Sequence, residues 1–283
     1  MSSFRTDYVY NREYRGKVKA LVLDWSGTVA DAYVLAPAVV FVEAFKRQGV
    51  EISMTEARGP MGLRKDLHIK ALTEDPIIRE RWKGVFGRDP NQGDVDNMFA
   101  DFVPLQLECL RKYTTLLPGV AEVTQKLQKE GIKIGSSTGF IRCMVDILEE
   151  DAKKQGYTPD ASVAGDEVIQ GARPKPHMVY KNLDMMDISP IQSVVKVDDT
   201  VSGIGEALEG GCWGVGVTRY SNYMDVNSLE EGEALTEDEI KRRMLITEGL
   251  LRKAGAHYVI DSIADLPEVI EDINARLARG EKP

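Results

Sequence analysis

Short apolar runs that alternate with helical stretches constrain the fold of this chain more than any other feature. Five such runs occur, at residues 20–23, 132–136, 193–197, 214–217 and 257–260. Continuous apolar runs of this length are typical of strands that are buried on both faces of a parallel sheet. The alternation therefore predicts an α/β fold built on a doubly wound parallel sheet, whose ligands bind beyond the carboxyl ends of the strands.

The interval between the first two runs is unusually long and has a helical pattern. Ser53 and Glu56 form a capping box within it, and apolar residues recur at helical spacing before Gly49. Further helices are expected near residues 62–73, 77–85 and 94–113. Because about 80 residues are too many for a loop, we predict a helical cap domain at 34–115 that is inserted into a core domain made of residues 1–33 and 116–283.

Charge and composition exclude several classes of protein. The chain has 283 residues, a formal net charge of −9 and a sequence pI of about 5.1, which argues against binding to nucleic acid or an anionic membrane by bulk electrostatics. Its longest uncharged run, residues 32–42, is far shorter than the roughly 20 residues of a membrane span. Three widely spaced cysteines suggest no disulfide framework. We expect a cytoplasmic protein.

Two acidic segments follow predicted strands. The first strand continues into LVLDWSGT, residues 21–28, where Gly27 permits a tight turn after Asp24. A carboxylate at this position can attack phosphorus while it also holds a magnesium ion. VVKVDDT, residues 194–200, supplies further carboxylates, of which Asp199 is the expected metal ligand and Asp198 an orienting group. Each segment taken alone is also compatible with helix capping.

Two other segments offer groups that bind phosphoryl oxygens. IKIGSSTGF, residues 132–140, ends a strand with Thr138 and the backbone N–H of Gly139 as donors. GARPKP, residues 171–176, holds Arg173 in a loop stiffened by prolines, where a guanidinium could make a bidentate contact. Taken alone, each segment is about as compatible with an ordinary surface turn.

Taken in chain order, the four segments carry an aspartate, a threonine, an arginine and a late aspartate, with a helical insertion after the first. In this arrangement they resemble the haloacid dehalogenase superfamily with a C1 cap. The resemblance implies that Asp24 is a nucleophile and that Mg²⁺ is held by Asp24, Asp199 and the backbone carbonyl of Ser26. Ser26 stands where the phosphatases of the superfamily carry a second aspartate as an acid, and a serine hydroxyl is too weak an acid for that role.

A segment of the predicted cap domain indicates which family of this superfamily the chain resembles. EARGPMGLRKDLH, residues 56–68, is similar to the segment around the Schiff-base lysine of the phosphonoacetaldehyde hydrolase family. Spacings of four and three residues would place Met61, Lys65 and His68 on one face of a helix, where a lysine taken alone is more often exposed to solvent. The resemblance implies that Lys65 forms an imine and that His68 moves protons beside it. It also implies a homodimer joined through the caps. Phe140, Val34 and Gly203 depart from residues that some members carry, a tyrosine, a cysteine and a further acid.

Three functions are compatible with these features. The first is phosphonoacetaldehyde hydrolysis, in which a protonated imine accepts the electrons of the broken carbon–phosphorus bond. The second is a phosphatase of the same superfamily that acts on a small phosphate ester, against which Ser26 and Lys65 count. The third is an inactive interaction protein that retains the fold, which the intact set of Asp24, Thr138, Arg173 and Asp199 argues against.

Overall fold

The centre of the molecule is a fully parallel sheet. The computed structural model describes residues 13–283, and within that range the sheet has six strands in the order β3-β2-β1-β4-β5-β6. The strands are β1 (Ala20–Leu23), β2 (Lys133–Ser137), β3 (Ala161–Val163), β4 (Val194–Asp198), β5 (Trp213–Val217) and β6 (Tyr258–Ile260). The predicted α/β fold with a doubly wound parallel sheet is confirmed.

The five strands predicted from apolar runs lie within one residue of their predicted bounds. The sequence missed β3, since its three residues at the edge of the sheet are too few to make a recognisable apolar run. β1 lies at the centre between β2 and β4, so the chain winds outward from it in both directions. This is the switch point at which doubly wound sheets bind ligands.

Seven α-helices belong to the part of the chain after residue 115. They are α6 (Val120–Lys129), α7 (Arg142–Lys154), α8 (His177–Met186), α9 (Val201–Gly210), α10 (Leu229–Ala234), α11 (Glu237–Lys253) and α12 (Leu266–Ala278). Thr236 accepts a hydrogen bond from the backbone N–H of Glu239 and so caps α11. None of the helices in residues 13–283 is long and apolar enough to cross a bilayer.

The long interval between β1 and β2 is helical, as predicted. It contains α1 (Leu35–Arg47), α2 (Met54–Arg58), α3 (Lys65–Glu74), α4 (Pro76–Phe86) and α5 (Gln92–Leu110). We call residues 34–115 the insertion and the rest of the described chain the α/β core. The Ser53–Glu56 capping box forms at the start of α2.

The third helix of the insertion begins later than its sequence suggests. Gly62 has φ +92°, a left-handed conformation that interrupts the helix, so α3 starts at Lys65. Met61 therefore lies in the turn before α3, and the expectation that it shares a helix face with Lys65 and His68 is wrong. Its side chain nevertheless reaches the same cavity as Lys65.

The insertion packs closely on the α/β core. One apolar cluster runs from Leu21 and Leu23 of β1 to Phe41 of α1 and Phe102 of α5, whose rings stack with centroids 4.6 Å apart. Since apolar contact is continuous across the two parts, the insertion is seated on the carboxyl end of the sheet.

Candidate active site

Three carboxyl groups meet where β1 and β4 end. The strand register pairs Leu23 with Val197, and the Asp24 N–H donates to the Val197 carbonyl at 3.0 Å. Asp24 and Asp198 consequently stand side by side, with Asp199 next to them. One ligand atom from each of the three lies within 4.8 Å of the others, and all three residues are buried.

The two neighbouring aspartates of β4 differ in their hydrogen bonding. Asp198 accepts from the N–H and hydroxyl of Thr200 at 3.0 and 2.7 Å, and from Lys196 Nζ at 2.6 Å. Asp199 Oδ2 accepts the Asn222 N–H at 2.7 Å, while Asp199 Oδ1 has no partner anywhere in residues 13–283. Asp199 thus retains a free acceptor, whereas the oxygens of Asp198 are already engaged.

The charges at this end of the sheet fit a divalent cation. Burial, together with the nearby charges of Asp198 and Asp24, raises the pKa of Asp199 well above its ordinary value. A cation would allow this carboxyl to ionise, and its unpartnered oxygen is a hard ligand of the kind that Mg²⁺ prefers. The described residues therefore contain an acidic cluster suited to a metal ion.

Arg173 is fixed between Asp24 and a buried glutamate. Its Nη2 donates to Asp24 Oδ1 at 2.7 Å and to the Ser137 carbonyl at 2.6 Å, and its Nε donates to Glu206 Oε2 at 3.0 Å. Burial alone would lower the pKa of Arg173, but the carboxylates of Asp198 and Asp24 raise it well above its ordinary value. Its Nη1 has no partner within the described part of the chain. The guanidinium is held rigidly with one donor group to spare.

Glu206 is a residue of the site that the sequence did not predict. It lies within α9 and is completely buried, and Ser137 donates a second hydrogen bond to it at 3.0 Å. A single glutamate inside a helix is ordinarily exposed to solvent, and no local pattern distinguishes this one. Its contact with Arg173 depends on a tertiary approach that the sequence does not reveal.

Thr138 and Gly139 follow β2 and bring the α/β core against the insertion. Thr138 Oγ1 accepts the Phe140 N–H at 3.2 Å, which forms a tight polar turn. A Cβ added to Gly139 would collide with the Leu63 carbonyl, and one added to Gly62 would collide with Ser202. Both glycines therefore permit a backbone approach between the two parts that a larger residue would prevent.

Lys65 enters the site from the first residue of α3. Burial lowers its pKa to about 8, with Asp24 opposing and Arg173 adding to that shift. Its Nζ lies 4.5 Å from the ring centroid of Phe140 and 5.7 Å from that of Phe41, and it forms no salt bridge with a residue from 13 to 283. The amine thus lies near two aromatic rings and loses its proton more easily than that of an ordinary lysine.

His68 lies one turn farther along α3, behind Lys65. Its Nε2 hydrogen-bonds the Ala57 carbonyl at 2.8 Å, and its ring stacks on Phe41 with centroids 3.8 Å apart. Burial and the charge of Lys65 lower the pKa of His68 well below its ordinary value, so the ring is neutral. Because a carbonyl can only accept, Nε2 carries the proton, and Nδ1 is a free acceptor without a partner among the described residues.

A closed cavity joins these groups. Its volume is about 10 Å³, enough for roughly one water molecule. Of the site residues predicted from the sequence, His68 and Asp198 do not line it. The lining residues are Asp24, Ser26, Val34, Met61, Gly62, Lys65, Thr138, Gly139, Phe140, Arg173, Asp199 and Thr200. Carboxylate, guanidinium and low-pKa amine therefore face one small space closed off by the insertion.

Comparison with known proteins agrees with this geometry. The model of the haloacid dehalogenase-like hydrolase family matches residues 18–211. The chain is 42% identical to the phosphonoacetaldehyde hydrolase of Syntrophobacter fumaroxidans over 98% of this chain and 99% of that protein. It is 43% identical to the enzyme of the same name from Klebsiella pneumoniae, covering 94% of this chain and 99% of that one.

A solved structure is similar over the same length. The phosphonoacetaldehyde hydrolase-like protein of Oleispira antarctica superimposes with a TM-score of 0.93 and 40% identity, covering 98% of this chain and all of that one. The likeness in sequence and in structure thus includes both the α/β core and the insertion. This chain belongs to the phosphonoacetaldehyde hydrolase family of the haloacid dehalogenase-like hydrolases.

Proposed function

We propose that this protein hydrolyses phosphonoacetaldehyde to acetaldehyde and phosphate, with an imine at Lys65 and an aspartyl phosphate at Asp24. One observation carries the proposal: the Lys65 amine, with a pKa lowered to about 8, and the Asp24 carboxylate line the same closed cavity. A phosphatase needs no such lysine beside its nucleophile. An enzyme that breaks a carbon–phosphorus bond needs an electron acceptor there.

The chemistry of the leaving group explains this need. Direct attack on phosphorus would expel a carbanion, so the aldehyde is first converted into a protonated imine by Lys65 with loss of water. Asp24 then forms a bond to phosphorus, and the electron pair of the broken carbon–phosphorus bond moves into the imine to give an enamine. Protonation of the enamine at carbon and hydrolysis of the resulting imine release acetaldehyde. Water cleaves the aspartyl phosphate and restores Asp24.

The phosphonate oxygens would be bound by groups of the α/β core. Arg173 offers the unpartnered Nη1, and Thr138 and the Gly139 backbone N–H lie at the end of β2 on the same cavity. Met61 would close the cavity on the aldehyde side, where a small apolar wall suits a two-carbon chain. These donors stabilise negative charge as it develops on the phosphoryl group.

We assign the acidic cluster to Mg²⁺, held by Asp24, Asp199 and the backbone carbonyl of Ser26. The unpartnered oxygen of Asp199 and its raised pKa support this assignment. When bound, the ion would neutralise charge on the phosphoryl oxygens. Asp198 would orient its neighbours through the contacts with Lys196 and Thr200.

His68 would move protons to and from the nitrogen of Lys65. Formation of an imine from an amine and an aldehyde requires proton transfers, which a neutral imidazole can perform. The free Nδ1 acceptor, one helical turn from Lys65, supports this role.

The insertion would act as a cap that opens and closes. A cavity of about 10 Å³ cannot admit phosphonoacetaldehyde, so residues 34–115 must move away from the core domain, 1–33 and 116–283, for the substrate to enter. We also propose a cytoplasmic homodimer joined through the caps. The exposed apolar residues of α4, which include Ile77 and Val85, support such a contact.

Trapping the imine tests this function. Borohydride added with acetaldehyde should reduce the imine, inactivate the enzyme irreversibly and leave an ethyl group in place of one hydrogen on the nitrogen of Lys65, a net gain of C2H4 on the peptide that contains it. Lys65→Arg keeps the charge but cannot form the imine, so activity toward phosphonoacetaldehyde and the adduct should both be lost. Lys70→Arg, an exposed position on the same helix, is the matched control and should behave like wild type.

The opposite result would identify a different enzyme. If no adduct forms at Lys65 while small phosphate esters are hydrolysed efficiently, the protein is a phosphatase of the same fold.

A further inference from the structure

A buried arginine connects the insertion to the α/β core. Arg58 ends α2, and its side chain is 4% exposed. Its guanidinium leaves the insertion and donates to the Tyr33 carbonyl at 2.6 Å, to Asn222 Oδ1 at 3.2 Å and to the Val226 carbonyl. Asn222 Nδ2 donates back to the Arg58 carbonyl at 3.1 Å. One residue of the insertion thus joins two separate backbone segments of the molecule.

The loop that Arg58 contacts also holds the acidic cluster. The Asn222 N–H donates to Asp199 Oδ2 at 2.7 Å, and Ser221 Oγ donates to the Asp199 carbonyl at 2.9 Å. Both the side chain and the backbone of Asp199 are therefore fixed by residues 221–222. A continuous chain of hydrogen bonds runs from Arg58 through Asn222 to the carboxylate whose other oxygen is free.

The second segment that Arg58 contacts is the connection between β1 and α1. Asp31, Tyr33 and Val34 have φ values of 55°, 66° and 55°, in the left-handed region that costs a residue with a side chain roughly 1–2 kcal/mol. Such a conformation persists only where surrounding contacts stabilise it. The hydrogen bond from Arg58 to the Tyr33 carbonyl is one of these contacts, and it exists only while the insertion is seated.

We propose that Arg58 is a positioning residue that couples closure of the insertion to metal binding, by fixing through Asn222 the carboxylate of Asp199. The inference rests on the metal site of the proposed function. When the insertion is seated, the guanidinium orders residues 222–226 and holds the Asn222 N–H on Asp199. When it lifts, the guanidinium leaves both segments and the carboxylate is less constrained. Because coupling is reciprocal, Mg²⁺ favours the seated state as strongly as the seated state favours Mg²⁺.

Two variants weaken this connection without removing a residue of the cavity. Arg58→Lys keeps the charge but cannot span three acceptors, and Asn222→Ala removes the side chain while its backbone N–H can still reach Asp199. Arg81→Lys is the matched control. Arg81 also lies in the insertion and contacts Glu56 and the Glu51 carbonyl, but it is partly exposed and does not reach the core loop.

Calorimetric titration of the metal-free proteins with MgCl₂, without substrate, measures the coupling. We expect the dissociation constant to rise about tenfold in Arg58→Lys and severalfold in Asn222→Ala, with a double variant no weaker than Arg58→Lys alone. The control should stay within twofold of wild type. Turnover of Arg58→Lys should be low at limiting Mg²⁺ and recover at saturating Mg²⁺, a rescue that a merely structural defect would not show.

Unchanged affinity in both variants, additive effects in the double variant, or an equal loss in Arg81→Lys would each overturn the proposal. If Arg58→Lys does not fold by circular dichroism, Asn222→Ala decides the matter alone. Failure of the imine at Lys65 would leave this experiment intact, because Mg²⁺ binding is measured without substrate. A wild-type protein that binds no Mg²⁺ would overturn both this inference and the metal site.

Discussion

The site is built from two halves, the α/β core and the insertion, which bury charged side chains in different ways. In the α/β core, Asp198, Lys196, Arg173 and Glu206 are fully buried, and each is paired with an opposite charge within 4 Å. In the insertion, Lys65 is buried against aromatic rings and has no ionic partner within the described chain. Burial alone would lower the pKa of Arg173 and raise that of Asp198, but their opposite charges hold the first above and the second below its ordinary value, while burial lowers the pKa of Lys65 to about 8.

This difference suits two different tasks. A transferring phosphoryl group needs charges that stay fixed while the reaction proceeds, and a paired network on strand ends supplies them. Imine formation needs an uncharged amine, and burial of Lys65 favours that form. If the insertion opens and closes as proposed, Lys65 would be buried in this way only while the insertion is closed over the sheet.

The largest effect is expected from a substitution that removes the proposed nucleophile, Asp24, from the core half. Asp24→Asn should lower kcat for phosphonoacetaldehyde by on the order of 10⁴-fold or more, since an amide cannot form the phosphoryl bond and removal of a nucleophile in other enzymes costs as much. Phosphate release measures the loss. Imine trapping at Lys65 with acetaldehyde should persist in this variant, because the amine belongs to the other half.

Asp184→Asn, at an exposed position on α8, is the control for the amide substitution and should be fully active. Substantial phosphate release by Asp24→Asn, after wild-type contamination is excluded, would show that an aspartyl phosphate is not on the pathway. If Asp24→Asn loses imine trapping at Lys65 as well as turnover, the amine of the insertion depends on the carboxylate of the core, and the two halves do not act independently.

The two halves also differ in how far their sequence predicts them. Asp24, Thr138 and Asp199 were predicted because each follows an apolar run, and parallel strands bring their carboxyl ends to one edge. Buried partners such as Glu206 and Asn222 were not. Arg58 and Asn222 are 164 residues apart, and no local pattern relates them.

Lys65 was identified from its resemblance to a known family, not from helix periodicity. Its expected companion Met61 lies in a turn, since the left-handed Gly62 delays the start of α3. Periodicity describes regular helices well, but the beginning of a helix depends on single backbone conformations. Burial of Lys65 arises from contacts between the insertion and Phe140 of the core, which only the folded chain brings together.

An effect of intermediate size is expected when imine formation is measured against pH. This titration tests whether Lys65 differs in pKa from an ordinary lysine, as the comparison of the two halves requires. With a pKa of about 8, Lys65 is protonated and unreactive below that pH and free above it. The rate of trapping by acetaldehyde and cyanoborohydride should therefore rise about tenfold per pH unit up to pH 8 and level off above it in the metal-free protein. Mg²⁺ should move the midpoint lower, because a nearby positive charge disfavours the ammonium form.

Peptide mass spectrometry of the Lys65 adduct against pH supplies this measurement. A midpoint near the roughly 10.4 of an ordinary lysine would mean that the amine is solvated in solution and that the insertion does not isolate it. The pKa of Lys65 would then give no support to the contrast with the paired charges of the core.

The smallest expected effect concerns Ser26, which lies in the core half where related phosphatases carry an acid. Its hydroxyl is buried beside the carboxyl of Asp31 but lacks a hydrogen bond of good geometry within residues 13–283. If the proposed imine at Lys65 replaces the acid, only the backbone carbonyl of Ser26 is needed. Ser26→Ala should therefore change kcat/KM for phosphonoacetaldehyde by less than about threefold, the range of a surface-like substitution of roughly 0.5 kcal/mol. A large loss of activity, with folding and Mg²⁺ binding intact, would show that the hydroxyl takes part in proton transfer and that the leaving group is not activated by the insertion alone.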